Sequence, residues 1–398
     1  MSGSRPLVIA QVGPWPPPWG GIAVYVQRLS RGLAAAGHQV RVYDLQGTER
    51  RSENGLEVIP LRAHWSRYLG LGARLAADGC DVAQLHLIGA PGKILAPAVA
   101  SCRTAGIPLA ASFHSFRPDP SESTAARTAA RLAVPQLQQA FASGAHVAEG
   151  LRTMGVPAHR VLAVPPFVRA ALHGAPEDRL PDVIVQMRRR WKRLVVGGGT
   201  AILPFAGGDL YGADVFVAMA AAVAAAQADV GFVFQLPRRG DEALYGQLRA
   251  SLASSGLGER LRLHEAPLQE AVDLWQIADV AVRTSRTDGD AVSVRESLDL
   301  GTPTLASDCV QRPRAAILFR SGDGADCATQ ILATLADLDQ ARAATHAARE
   351  PDGLDPVLAA LLRLAERRGG IERALRATTA RVQPLARALR RATRQEGS

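Results

Sequence analysis

Short apolar runs alternate along the chain with longer stretches whose apolar residues recur every three to four positions. Residues 7–12, 39–45, 58–61, 81–87 and 109–113 read as strands. Residues 21–36, with Ile22, Tyr25, Leu29 and Leu33 on one face and a stop at Gly37, read as a helix. Residues 145–147 and 160–164 read as the last strands of this unit, and Pro165-Pro166-Phe167 breaks the pattern. The rhythm restarts with strands at 201–205, 231–235, 260–264, 279–283 and 304–307 and helices at 213–227 and 268–277. Strands separated by helices in this way predict the α/β class with parallel, doubly wound sheets. Two such Rossmann-like domains are expected, at 1–167 and 191–350, joined by a connection at 168–190. A C-terminal helix and basic tail are expected at 351–398.

Length agrees with that division, because 398 residues exceed one ordinary core. A hydrophobic content of 47% with 21% charged residues is that of a globular protein. The four cysteines, at 80, 102, 309 and 327, have neither Cys-x-x-Cys nor metal-ligand spacing, and read as small buried residues in a reducing compartment. No signal peptide is expected ahead of the first strand, which points to a cytoplasmic chain. The apolar run 215–226 is too short to span a bilayer.

Net charge is +9, and the last 28 residues, with seven Arg against two Glu, contribute +5 of it. A charge excess concentrated in a tail argues against a broad nucleic-acid surface. The tail itself reads two ways: as a basic amphipathic helix lying on the inner face of a membrane, or as a solvated segment.

The densest chemistry lies between Arg283 and Asp308: a strand, an acidic Gly-containing loop, a short helix, a Gly stop and a second strand. Asp290 is placed to cap the helix and Gly301 to end it. The free N–H groups of its first turn, around Asp290, Ala291, Val292 and Ser293, suit a phosphate. Glu296 follows Ser293 by three residues and Val292 by four, so it shares their helix face. A carboxylate beside an anion site makes sense when the ligand also carries a diol, such as the ribose of a nucleotide.

These residues resemble the donor-site motif of the retaining family 4 glycosyltransferases, which have the GT-B fold. That pattern is an acid, seven residues, a Glu that holds the ribose, then Gly-[TV]-Pro and a strand ending in Ala-[ST]-[DNE]. Here Asp288 precedes Glu296 by that spacing, and Gly301-Thr302-Pro303 follows. The first acid is usually Glu. A branch carrying Arg-Pro-Thr-x-Thr-Asp-Gly-Asp matches Arg283 to Asp290 with one change, Ser285 aside. The stretch from Gly20-Gly21 through His38 is similar to the same family's first loop and helix.

The resemblance implies two domains facing a cleft and metal-independent transfer of a sugar, with retention, from a UDP- or GDP-linked donor. The nucleotide sugar is substrate, no further cofactor is expected, and the family's acceptors include lipid-linked sugars. Glu296 would bind ribose. Asp288 and His114, the latter just beyond a strand end where open α/β sheets place ligands, would orient the sugar. Gly20 and Gly21 would face the diphosphate. By themselves these glycines also read as a Pro-rich turn, and His114 as a satisfied core histidine.

The family's phosphate-gripping Arg and Lys are replaced by Ala206 and Tyr211. Developing negative charge needs cations or several donors, which makes Arg283 the first candidate and Arg286 another. The same replacement supports an alternative: a non-catalytic glycosyltransferase-like subunit of a glycan pathway.

Overall fold

The computed structural model describes residues 5–368 apart from 18, 54, 62–63, 116–121, 173 and 349–351. The basic tail therefore lies outside the described residues. In the first half, β1 (Val8–Gly13), β2 (Gln39–Asp44), β3 (Arg51–Glu53), β4 (Leu56–Pro60), β5 (Val82–Ile88), β6 (Leu109–Ser115), β7 (Gln139–Ala142) and β8 (Val161–Ala163) form one sheet. Its order is β3-β4-β2-β1-β5-β6-β7-β8, parallel except for β3 against β4. The central strands are covered by helices on both faces, which is why they appear in the sequence as almost unbroken apolar runs.

In the second half, β9 (Arg193–Gly198), β12 (Val230–Gln235), β13 (Leu261–His264), β14 (Val280–Arg283), β15 (Thr304–Ser307) and β16 (Ile317–Phe319) form a second parallel sheet, ordered β13-β12-β9-β14-β15-β16. Between β9 and β12, β10 (Pro204–Phe205) and β11 (Gly208–Asp209) pair as a small antiparallel hairpin. Strand order reverses between β1 and β5 in the first sheet and between β9 and β14 in the second. The carboxyl ends at these switch points are where doubly wound sheets bind ligands. Gly13 and His86 mark the first, Gly198 and Arg283 the second.

Several expectations shift. Residues 145–147 open a helix, Ala145–Thr153, entered from Gly144, and the strand is β7 just before it. The expected strand at 201–205 is mostly loop. β9 is the real start of the second sheet. Its predecessor, the helix Asp182–Arg190 inside the 168–190 span, buries Ile184, Val185 and Met187 against Leu194, Val196 and Val233.

The helix over 354–368 crosses back to the first half, where Val357, Leu361 and Leu364 pack with Leu29, Leu33 and Val40. The approach is close there: a Cβ on Gly32 would stand 2.8 Å from the end of the Leu354 side chain, so a larger residue would make Leu354 turn aside. The two chain crossings are tied together by the Gly353 N–H donating to the Phe167 carbonyl at 2.7 Å. Cys80, Cys102 and Cys327 are buried free thiols. Among the described residues, no helix is long and apolar enough to cross a membrane.

Candidate active site

The two switch points face each other. Gly20 precedes the helix Gly21–Ala35, whose first turn has no acidic residue, and that helix mouth meets the mouth of the helix Val292–Asp299. A Cβ on Gly21 would lie 3.7 Å from Val292. Beside this meeting point, Gly289 presses on the end of β6 so closely that a Cβ there would stand 2.3 Å from the His114 carbonyl oxygen. Gly20, Gly21, His114, Ala291, Val292 and Ser293 are thus gathered along one seam between the domains.

Glu296 sits one turn into its helix and is 4% exposed. Its Oε1 accepts from Arg28 Nη1 at 2.5 Å and its Oε2 from Trp275 Nε1 at 2.9 Å. Arg28 also reaches Glu270 at 3.0 Å, so one buried guanidinium of the first domain spans two carboxylates of the second. Glu296 lines an open pocket of ≈ 220 Å³ with Phe167, Arg169, Val272, Asp299 and Leu300. Sequence reasoning missed Arg28, yet the pattern contains it. Tyr25, Arg28, Leu29 and Gly32 fall at i, i+3, i+4 and i+7, which puts a charge on the buried face of the helix.

Arg283 grips Asp288 through two bonds, at 3.0 and 2.7 Å, and its guanidinium lies 5.0 Å from the centre of the Tyr211 ring. Arg312, almost wholly buried, adds a third contact to Asp288 at 3.0 Å, and the Ser285 hydroxyl donates a fourth. Burial opposes ionisation of Asp288, but Arg283 and then Arg312 hold its carboxyl well below the usual carboxylate range. Two guanidiniums against one carboxylate leave these three side chains with one net positive charge. Arg312, in the loop after β15, was also absent from the sequence reading.

The other loop charges are engaged within the second domain. Arg286 bonds both oxygens of Asp214, at 2.8 and 2.6 Å, and the Asp209 carbonyl at 2.7 Å. Asp290 does not cap the helix as expected. The N-cap is Ala291, and the Asp290 carboxylate instead holds the Arg295 guanidinium, with bonds down to 2.6 Å. Gly301 does end the helix: at φ +78, its N–H bonds Leu298 O while Thr302 N–H bonds Ser297 O. Ala206 and Gly207, both at positive φ, form the two-residue tip of the β10–β11 hairpin, a turn that suits hairpin twist.

His114 Nε2 lies 3.2 Å from His86 Nδ1, and the Tyr25 ring meets the His114 ring edge-on at 5.2 Å. Burial lowers the His114 pKa to about 4, so the ring is neutral at pH 7. Trp15 is packed in the first domain's core. Among the described residues, no three His, Cys, Asp or Glu side chains gather as a metal site.

Residues 20–166 match the family described as Glycosyl transferase 4-like domain. No curated protein matches the sequence. Among solved structures the chain is similar to the sucrose-phosphate synthase of Thermosynechococcus elongatus, with 16% identity, a TM-score of 0.63, and coverage of 94% of this chain and 100% of that one. It is similar to a glycosyltransferase of Rickettsia africae, with 12% identity, a TM-score of 0.65 and coverage of 92% and 99%. It also resembles Anabaena HepE in complex with UDP, with 14% identity, a TM-score of 0.62 and coverage of 93% and 100%. The fold is the GT-B arrangement of two facing Rossmann-like domains, and its first domain carries the match to a glycosyl transferase 4-like domain.

Proposed function

We propose that the chain is a glycosyltransferase that moves a sugar, with retention of configuration, from a nucleotide-diphosphate donor to an acceptor hydroxyl. The observation carrying this reading is the meeting of two helix mouths at the switch points of both sheets, with Glu296 one turn behind. Free N–H groups at Gly20–Gly21 and at Ala291–Ser293 suit a diphosphate, and the helix dipoles favour its charge. Glu296 accepts from the ribose hydroxyls. Arg283 and Arg312 supply the surplus positive charge that the leaving diphosphate needs, in place of the cations missing at Ala206 and Tyr211. Asp288 and His114 orient the sugar. The bond from the anomeric carbon to the phosphate oxygen breaks as the bond to the acceptor oxygen forms, and the acceptor proton passes to the departing phosphate. Contact between the domains along Gly289 and His114 excludes water that would hydrolyse the donor.

UDP is the first donor class to test, because HepE, which shares the fold, has been seen with UDP. The acceptor reading is a sugar or lipid-linked hydroxyl, reached from the cytoplasmic side, where the basic tail contacts the membrane.

A second reading, a non-catalytic subunit of a glycan pathway, is favoured by two observations. Asp288 occupies two donor atoms of Arg283, and the loop where the family carries its gripping cations is a tight hairpin. A thermal-shift titration with UDP and GDP, followed by assay with the matching nucleotide sugar, separates the two. The transferase reading expects stabilisation of about 2.7 kcal/mol at a hundredfold excess over Kd, loss of that shift in Glu296→Ala, and turnover. Stabilisation without turnover or donor hydrolysis supports the second reading. No shift with either nucleotide rejects the donor site.

A further inference from the structure

A line of polar side chains crosses the otherwise apolar interior of the first sheet. It runs from Ser112 on β6 through Gln84 on β5 to Gln11 on β1, then returns through His86 on β5 to His114 on β6. Gln11 and Gln84 are fully buried, and Ser112 and His86 nearly so. Gln84 and His86 are two residues apart, as are Ser112 and His114, so each pair shares one face of its strand. Tyr25 covers that face and touches both imidazoles edge-on. Burying so many polar groups costs folding free energy unless each is bonded, and these are.

The chain of bonds has a direction. Gln84 Nε2 donates to Ser112 Oγ at 2.7 Å, and Gln11 Nε2 donates to Gln84 Oε1 at 3.1 Å. The remaining end of Gln11, its Oε1, lies 2.7 Å from His86 Nε2. With the Gln11 amide in this orientation, its oxygen only accepts, so His86 Nε2 carries a hydrogen; the opposite orientation of both glutamines would reverse the chain. A neutral His86 then has a bare Nδ1, and His114 Nε2, 3.2 Å away, must be the donor to it. Burial keeps both rings neutral, lowering His114 to about 4 and His86 well below its ordinary value, the latter with help from His114. A neutral His114 with its hydrogen on Nε2 has Nδ1 as its acceptor.

We propose that Gln11 and His86 are positioning residues that lock His114 as the neutral Nε2–H tautomer, so that its Nδ1 accepts a hydrogen bond from a hydroxyl of the transferred sugar. The sugar as partner rests on the function proposed above; the tautomer does not. In this state His114 serves as an orienting acceptor. Protonation of the leaving group falls to other groups.

Nitrogen-15 NMR of the full chain labelled at histidine tests the lock directly, because the two ring nitrogens have separate shifts in each tautomer. The wild type is expected to show His114 as Nε2–H at pH 7. His86→Leu removes the acceptor, and a population of the Nδ1–H form should appear. His86→Gln offers a new acceptor and should restore the Nε2–H form. Gln11→Met gives a second route to the same readout should His86→Leu fail to fold. With a nucleotide sugar that turns over, His86→Leu should lower kcat about tenfold, the value of one hydrogen bond made in the transition state, with little change in KM and partial rescue in His86→Gln. A wild-type His114 protonated at Nδ1, or a tautomer unchanged in His86→Leu and Gln11→Met, overturns the proposal. The spectrum decides this whether or not the chain turns over a nucleotide sugar, while nucleotide binding decides the transferase reading.

Discussion

Arg28→Met removes the charge that clasps the two domains while keeping most of the side chain's apolar stem. The cost can be worked from the surroundings of each partner. Glu270 has 27% of its side chain exposed and turns to water once released. Glu296 is far less able to: at 4% exposure it would keep the Trp275 N–H at 2.9 Å for a full negative charge, with water reaching it through the pocket that it lines. Removing one partner of a buried pair costs about 3–5 kcal/mol, and nearly all of it should fall on Glu296. Glu296→Gln in the same background removes the stranded charge and should recover part of the loss. Urea unfolding of the wild type, both single variants and the double variant reads this as a cycle, provided each shows one transition. The expected coupling is at least about 1.5 kcal/mol. Single losses that add to within about 0.5 kcal/mol would refute the clasp. The same variant bears on the donor. Glu296 Oε1 is occupied by Arg28, so a ribose must displace or share it, and UDP should stabilise Arg28→Met more than it stabilises the wild type.

Gly289→Ala puts a Cβ where only 2.3 Å separates it from the His114 carbonyl oxygen. Each domain should fold while the seam opens, seen as a larger radius of gyration in X-ray scattering with loss of turnover; unchanged scattering and activity would contradict the contact. Arg312→Met removes the surplus positive charge beside Asp288, and UDP affinity should fall about tenfold or more by calorimetry, as expected for a bond to a charged group. Unaltered affinity would take Arg312 out of the donor site. Stability should also depend on pH through His114. Its folded pKa, about 4, is below the ordinary value of 6.5, so the unfolded chain binds the extra proton between those limits. The contribution is complete above about pH 6.5 and is lost as pH falls toward 4, up to about 3 kcal/mol. His114→Gln should flatten that part of the profile, and an unchanged profile would mean that the ring is not held neutral.

The parallel α/β rhythm was legible because strands buried on both faces leave continuous apolar runs, and the helix Val292–Asp299 was legible because a glycine must end it. The misses have physical causes. β7, Gln139-Ala-Phe-Ala, relies on neighbouring strands rather than on its own bulk, so its sequence is too mild to mark a strand. β9 follows directly on an Arg-rich helix and ends in glycines, which hid it. Asp290 has the composition of a cap, yet a guanidinium five residues on binds it more strongly than a backbone N–H would. Arg28 and Arg312 matter through partners 268 and 24 residues away; helix spacing marks Arg28 as a charge on a buried face, but which carboxylates it pairs with is a property of the folded chain.

The return of the last described helix to the first domain has a consequence for how the protein can be divided. Residues 354–368 supply one wall of the core around Leu29 and Leu33. A chain cut at the first crossing, near Phe167, would leave that apolar flank bare and prone to self-association. Joining the 354–368 segment back to such a fragment through a short linker should cover that flank again and suppress the self-association. The hydrogen bond that joins the crossings at Phe167 and Gly353 pins the halves together at that corner, so a hinge between them, where one operates, is expected to turn about it.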